Sequence, residues 1–197
     1  MSDLKSFLKE MITLPGLSGH EKPVREVIEK RWTGLVDEMR VSPAGSLEAL
    51  KKGTGGEPRK SVLLAGHMDA IGLIVTSVQG EFLRITDVGG VDPRVMPGQP
   101  VTVFGREVLK GVVVQPPDWL IEGHNAGAPM ALDQLFVDVG LEADEVGKKV
   151  RTGDLVAFGS IPLELGDDVL SGHTMDDRAA VAAITHCLEI LKTRVHQ

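Results

Sequence analysis

Residues Ser61–Gly72 read SVLLAGHMDAIG, and the fold turns on how that stretch is taken. The apolar run Val62–Ala65 is short, branched and stopped by Gly66. That is the pattern of a buried parallel strand. His67 and Asp69 follow directly. In extended chain, residues i and i+2 point to the same side. An imidazole and a carboxylate therefore leave one face of the strand's carboxyl end, where open α/β sheets bind ligands. Two readings stand at this point. The pair is a His–Asp hydrogen bond closing a strand, or it is a metal-ligating imidazole with the carboxylate that orients it.

On the amino-terminal side, Leu4, Phe7, Leu8 and Met11 are spaced for one face of a short helix that Pro15-Gly16 ends. Ser18 and Glu21 fit a capping box opening a second helix, with Pro23 in its first turn and Val24, Val27, Ile28 and Leu35 along it. Strands are expected over Val36–Val41 and Leu47–Leu50, joined by the Pro43–Gly45 turn. After Asp69 the texture changes. Short β runs recur at Leu73–Val78, Phe82–Thr86, Val101–Phe104, Val108–Val114, Leu135–Val139 and Leu155–Phe158, with a single short helix at Ala143–Lys149. Closely spaced strands with Gly and Pro between them predict a small barrel or sandwich. The loop Gln115–Met130 carries Trp119 and His124. The expected division is an α/β domain over 1–70 plus 163–197 with an all-β domain, 71–162, inserted into it.

Past Asp168 the sequence SGHTMDDR, Ser171–Arg178, leads into a helix expected over Ala179–Val195. Ala180, Ile184, Cys187, Leu188, Leu191 and Val195 share its apolar face, which makes Cys187 a core residue. By themselves Asp176 and Asp177 read as the N-cap of that helix, favoured by its dipole.

The 197 residues are 42% hydrophobic and 25% charged, the balance of a soluble globular protein. A net charge of -7 argues against a nucleic-acid surface. With Cys187 the sole cysteine, no intramolecular disulfide can form, so a reducing compartment is expected. The opening MSDLKSFLKE is mixed in charge, unlike a secretory signal, and no apolar run is long enough to span a bilayer.

Taken together, GHMDAIG, the insert with VGGVDPR and LFVDVG, Gly153-Asp154, and MDDR opening a helix resemble one family along nearly the whole chain. It is the family of cytoplasmic di-metal aminopeptidases called tetrahedral or deblocking aminopeptidases, glutamyl aminopeptidases among them, some labelled endoglucanases. PGLSGHEKPVRE, Pro15–Glu26, is similar to that family's opening helix. The resemblance implies a zinc-peptidase-like α/β/α domain with an inserted β-barrel used in subunit contacts, hence a homo-oligomer acting on peptides. It implies two divalent metal ions, zinc or cobalt. His67 and Asp176 match metal ligands, Asp176 bridging both ions. Asp69 matches the catalytic carboxylate that orients His67, and Asp177 stands beside the bridge. The peptide bond after the bridging Asp is expected to be cis.

Some positions depart from the family's pattern. Ala70 stands where Glu is common, His173 where Lys is common, Asp118-Trp119 where His-Leu is usual, and Ser42 where an acidic residue precedes the turn, here Gly45-Ser46. His173 is either a surface residue or an added ligand. More consequentially, the family's Glu-Glu pair and its further Asp and His ligands follow the helix that ends this sequence. Two protein ligands do not close a di-metal site in which each ion takes about three. The expectation is an amino-terminal portion of a longer protein, inactive alone, whose apolar faces need covering. A non-catalytic remnant or oligomerisation module is the rival reading. An endoglucanase is disfavoured, since no acidic pair for sugar cleavage is evident.

Overall fold

The computed structural model describes residues 2–121, 128–159, 161–167 and 169–196. It is a mixed α/β structure divided into two compact units, Met1–Ala70 with Ser160–Gln197, and Ile71–Gly159. The inserted unit ends three residues before the expected boundary at Pro162.

That unit is a closed six-stranded barrel. Its strands are β3 (Gly72–Gln79), β4 (Phe82–Val88), β5 (Pro100–Phe104), β6 (Val108–Val114), β7 (Phe136–Asp138) and β8 (Leu155–Phe158). They run in the order β3-β4-β7-β6-β5-β8, and β8 closes onto β3 through Leu73↔Val156. Alternate residues point inward, as the pleat requires. Leu73, Val75, Leu83, Ile85, Val101, Val103, Val113, Val137 and Val156 form one buried core, joined by Val146 of the short helix α3 (Ala143–Lys149). Gly111 is dictated by space, because a Cβ there would stand 2.7 Å from the Asp138 carbonyl oxygen. Each of the six strands expected within this unit is present. Trp119 lies in the 3-10 turn Asp118–Leu120, 82% exposed. His124 falls outside the described residues.

The other unit holds α1 (Ser2–Thr13), α2 (Lys22–Trp32), the antiparallel hairpin β1 (Glu38–Val41) and β2 (Leu47–Leu50), the ribbon β9 (Leu163–Leu165) and β10 (Val169–Ser171), and α4 (Met175–Leu191). Phe7, Met11, Val24, Ile28, Trp32, Val181 and Leu188 pack its core between the three helices. The ribbon was not legible in the sequence, since both its strands have only three residues.

Three expectations for this unit are corrected. Residues 61–69 pair with no strand among the described residues, and Val62, Leu63 and Leu64 are 83%, 91% and 54% exposed. Branched apolar residues specify a buried strand only when neighbours supply hydrogen bonds and cover. None does so here. Second, Ser18 and Glu21 form no capping box. Glu21 occupies the N-cap position of α2 with no side-chain cap, and its carboxylate instead accepts from the Gly19 N–H at 2.6 Å. Third, α4 runs Met175–Leu191, with Thr174 at the N-cap position in place of Asp176 or Asp177, and Cys187 is exposed. Its buried face is Arg178, Val181, Ala182, Thr185 and Leu188. Two polar residues on that face hid it from an apolar count. Thr185 is held there by accepting from the Trp32 indole N–H and donating to the Val181 carbonyl, both at 2.8 Å.

Candidate metal centre

Four carboxylate and imidazole residues named from the sequence meet in the helical unit. His67 and Asp69 lie on the extended segment after Gly66, and Asp176 and Asp177 lie at the start of α4. Backbone angles at Asp176 and Asp177 leave the helical region, and the peptide bond between them is cis, as the resemblance implies. The segments approach closely at Gly66, where an added Cβ would sit 3.2 Å from Asp177 Oδ2. The same oxygen accepts from the His67 backbone N–H at 3.3 Å.

His67 bridges two carboxylates. Nδ1 is 2.9 Å from Asp69 Oδ1 and Nε2 is 3.1 Å from Asp176 Oδ1. Each ring nitrogen faces one carboxylate oxygen, an arrangement that favours the charged form of the ring. Burial works against that charge, but the hydrogen bonds to Asp176 and Asp69 outweigh it and raise His67 above the usual histidine range. The Asp176 side chain is 94% exposed, so the arrangement faces open space. Beside it lies a cavity of about 260 Å³ lined by His67, Asp69, Ile28, Trp32, Leu47 and Val181.

Two supporting residues were missed. Ser18 Oγ donates to Asp69 Oδ2, the oxygen that His67 leaves free. Arg178 is fully buried. Its Nε–H donates to the Met68 carbonyl at 2.9 Å, and Nη1 donates to the carbonyls of Leu14, at 2.7 Å, and Met11. One side chain thus ties the residue between His67 and Asp69 to the end of α1. Burial pulls its pKa down to about 10, against the favourable charge of Asp69. Gly16 makes room for it, since a Cβ there would lie 2.7 Å from Nη2. The Gly16 carbonyl accepts from the Ala70 N–H at 2.7 Å, and Leu17 bridges Ala70 in parallel. The available signals were the Arg directly after Asp-Asp and the Ser in PGLSG. His173 is exposed and Ala70 is buried.

A divalent cation suits this donor chemistry in part. An imidazole nitrogen and a carboxylate oxygen converge, and the ring's other nitrogen is oriented by a second carboxylate. Among the described residues no group of three or more His, Cys, Asp or Glu is placed to hold one ion. The described residues bring two donors together and fall short of a closed site.

A family model for the M42 glutamyl aminopeptidases matches residues 45–197. The lysyl aminopeptidase of Pyrococcus furiosus is 30% identical over 185 residues, covering 90% of this chain and 52% of that protein. An aminopeptidase of the archaeon Desulfurococcus kamchatkensis superposes with a TM-score of 0.87 at 29% identity, over 96% of this chain and 52% of its own. A Thermotoga maritima structure described as an endoglucanase gives a TM-score of 0.77 at 36% identity, over 93% and 54%. The Pyrococcus horikoshii TET1 peptidase, which can assemble into a tetrahedron or a large octahedral shell, gives 0.79 at 30%, over 98% and 56%. The chain spans about half the length of these relatives. Its match to the family model covers more than half of the sequence and includes every residue of the His67–Asp176 cluster, and the chain belongs to the M42 glutamyl aminopeptidase family.

Proposed function

We propose that this chain carries the amino-terminal part of a metal-dependent aminopeptidase, a hydrolase removing N-terminal residues from peptides. The observation that carries the reading is the His67 ring held between Asp69 and Asp176, at 2.9 and 3.1 Å. His67 Nε2 and Asp176 Oδ1 would hold a zinc or cobalt ion, with Asp176 also facing a second ion. A divalent ion there supplies Lewis acidity toward a peptide carbonyl and toward water. Asp69 accepts the Nδ1 proton, which leaves the Nε2 lone pair available for the ion. Asp177 holds the His67 backbone and so fixes where the ring starts. His67 would have to offer Nε2 without a proton to serve as a ligand, so affinity at these donors would depend on pH.

Two donors hold an ion weakly, and no general base stands among them. On this reading the 197 residues show no turnover by themselves. The reading extends to a cytoplasmic homo-oligomer assembled through the barrel, whose surface carries the exposed apolar residues Val95, Val108, Trp119 and Leu120.

Cobalt titration of the chain, followed by calorimetry, tests the metal reading. Binding that disappears in His67→Ala is the expected result, and a chain that binds no cobalt overturns it. Aminoacyl-anilide assays with added cobalt test the rest. No turnover is expected, and turnover abolished by His67→Ala would show that the chain is sufficient by itself.

A further inference from the structure

We infer that Ser18 is a positioning residue for this site, acting through Asp69 on His67. The inference rests on the metal reading above for its affinity arm only. Asp69 has two oxygens and two partners. Oδ1 faces His67 Nδ1 at 2.9 Å, and Oδ2 receives the Ser18 hydroxyl proton. A carboxylate held through one oxygen can turn about its Cβ–Cγ bond. Held through both, it presents Oδ1 in one direction. The Ser18 hydroxyl therefore fixes the plane of the carboxylate that fixes the ring.

The loop bearing Ser18 is itself anchored. The neighbouring Gly16 carbonyl accepts from Ala70 N–H at 2.7 Å, and Leu17 bridges Ala70 in parallel, one residue beyond Asp69. The loop and the His67–Asp69 segment thus lie side by side, and the Ser18 hydroxyl reaches the carboxylate from a built position. Ser18 is exposed and caps no helix, so no packing role accounts for it. Outer partners of this kind shift metal affinity by about 10–100-fold when removed.

The test compares the chain with Ser18→Ala and Ser18→Thr. Nitrogen-15 shifts of the His67 ring, read without metal at a pH where the ring is neutral, report which nitrogen carries the proton. In the parent chain and in Ser18→Thr the proton sits on Nδ1. In Ser18→Ala the signal moves toward a mixture of both tautomers. Cobalt affinity falls about tenfold in Ser18→Ala and stays within about twofold of the parent in Ser18→Thr. An unchanged ring signal in Ser18→Ala overturns the proposal, as does a loss of affinity that Thr fails to rescue. If the parent chain binds no cobalt, the metal reading falls and the ring signal alone decides the role of Ser18. Circular dichroism of each variant establishes that the loop change leaves the fold intact.

Discussion

The barrel and the helical unit come from one chain, yet they satisfy their backbones differently. In the barrel each strand pairs on both sides and the sheet closes, so no edge remains. Its apolar residues alternate inward, and Leu73, Leu83, Val103 and Val156 reach zero exposure. Among the described residues of the helical unit the strands come only as two-stranded ribbons, and the most apolar run of its central segment, Val62–Leu64, stands in solvent. A closed barrel carries its own neighbours, whereas a doubly wound layer depends on strands that other parts of the fold supply. Similar apolar composition therefore gives burial in one unit and exposure in the other.

Substituting one leucine in each unit breaks or sharpens this contrast most. Leu83→Ala empties a fully buried site in the barrel. It is expected to cost about 2–5 kcal/mol, the range for large-to-small changes in a packed core. Leu63→Ala, at a position 91% exposed, is expected to stay within about 0.5 kcal/mol. Urea titration read by amide hydrogen exchange of the barrel and helical units separately measures both. Equal costs would mean that residues 61–65 are covered in solution and that the contrast is wrong.

The next effect is smaller and lies in the helical unit. Arg178→Met keeps the volume and the apolar stem but leaves the Met68, Leu14 and Met11 carbonyls without their shared donor. Unpaired buried acceptors cost about 1–3 kcal/mol. The loss should appear in the fluorescence transition of Trp32, which packs in that unit, and leave barrel protection unchanged. A matching loss of barrel protection would show that the two units unfold together.

What could be read from the sequence follows the same division. The barrel strands were legible because alternation and turn residues are local signals, and closure needed nothing beyond them. The cluster is legible as residue types, His67, Asp69, Asp176 and Asp177, while their distances depend on the fold. The strand at Val62–Ala65 was misread because burial belongs to neighbours, which a single run of residues does not contain. Ser18 was misread because S-x-x-E describes a cap equally well, and only the approach of Asp69, 51 residues away, assigns its hydroxyl elsewhere. Arg178 and Cys187 show one failure twice. On α4 a buried arginine and threonine hold the inward face through hydrogen bonds, so the expected apolar stripe meets that face at Leu188 and Ile184 and departs from it at Cys187.

The smallest effect concerns how α1 is tied to the β9–β10 ribbon. Glu164 on β9 lies 2.7 Å from Lys5 Nζ and also contacts Lys9, both on α1. Hydrogen bonds from Lys5 and Lys9 hold its carboxyl down to about 2, against an ordinary value of 4.5. A carboxyl depressed in the folded state stabilises above its unfolded pKa, and the contribution is lost as pH falls toward the folded value. The window is therefore about pH 4.5 down to about 2, with no change expected near neutrality. The group is exposed, so solvent and salt screen the pairing and the shift should shrink at high ionic strength. Trp32-detected melting of the parent and Glu164→Gln between pH 6 and pH 2, each an approximate limit of the titration, reads it out. The two curves should converge as the pH drops, and the parent should be the more stable one only at the upper end. A constant gap across the whole range would mean that Glu164 contributes through packing of its stem, and that the ribbon is held to α1 by something other than these two lysines.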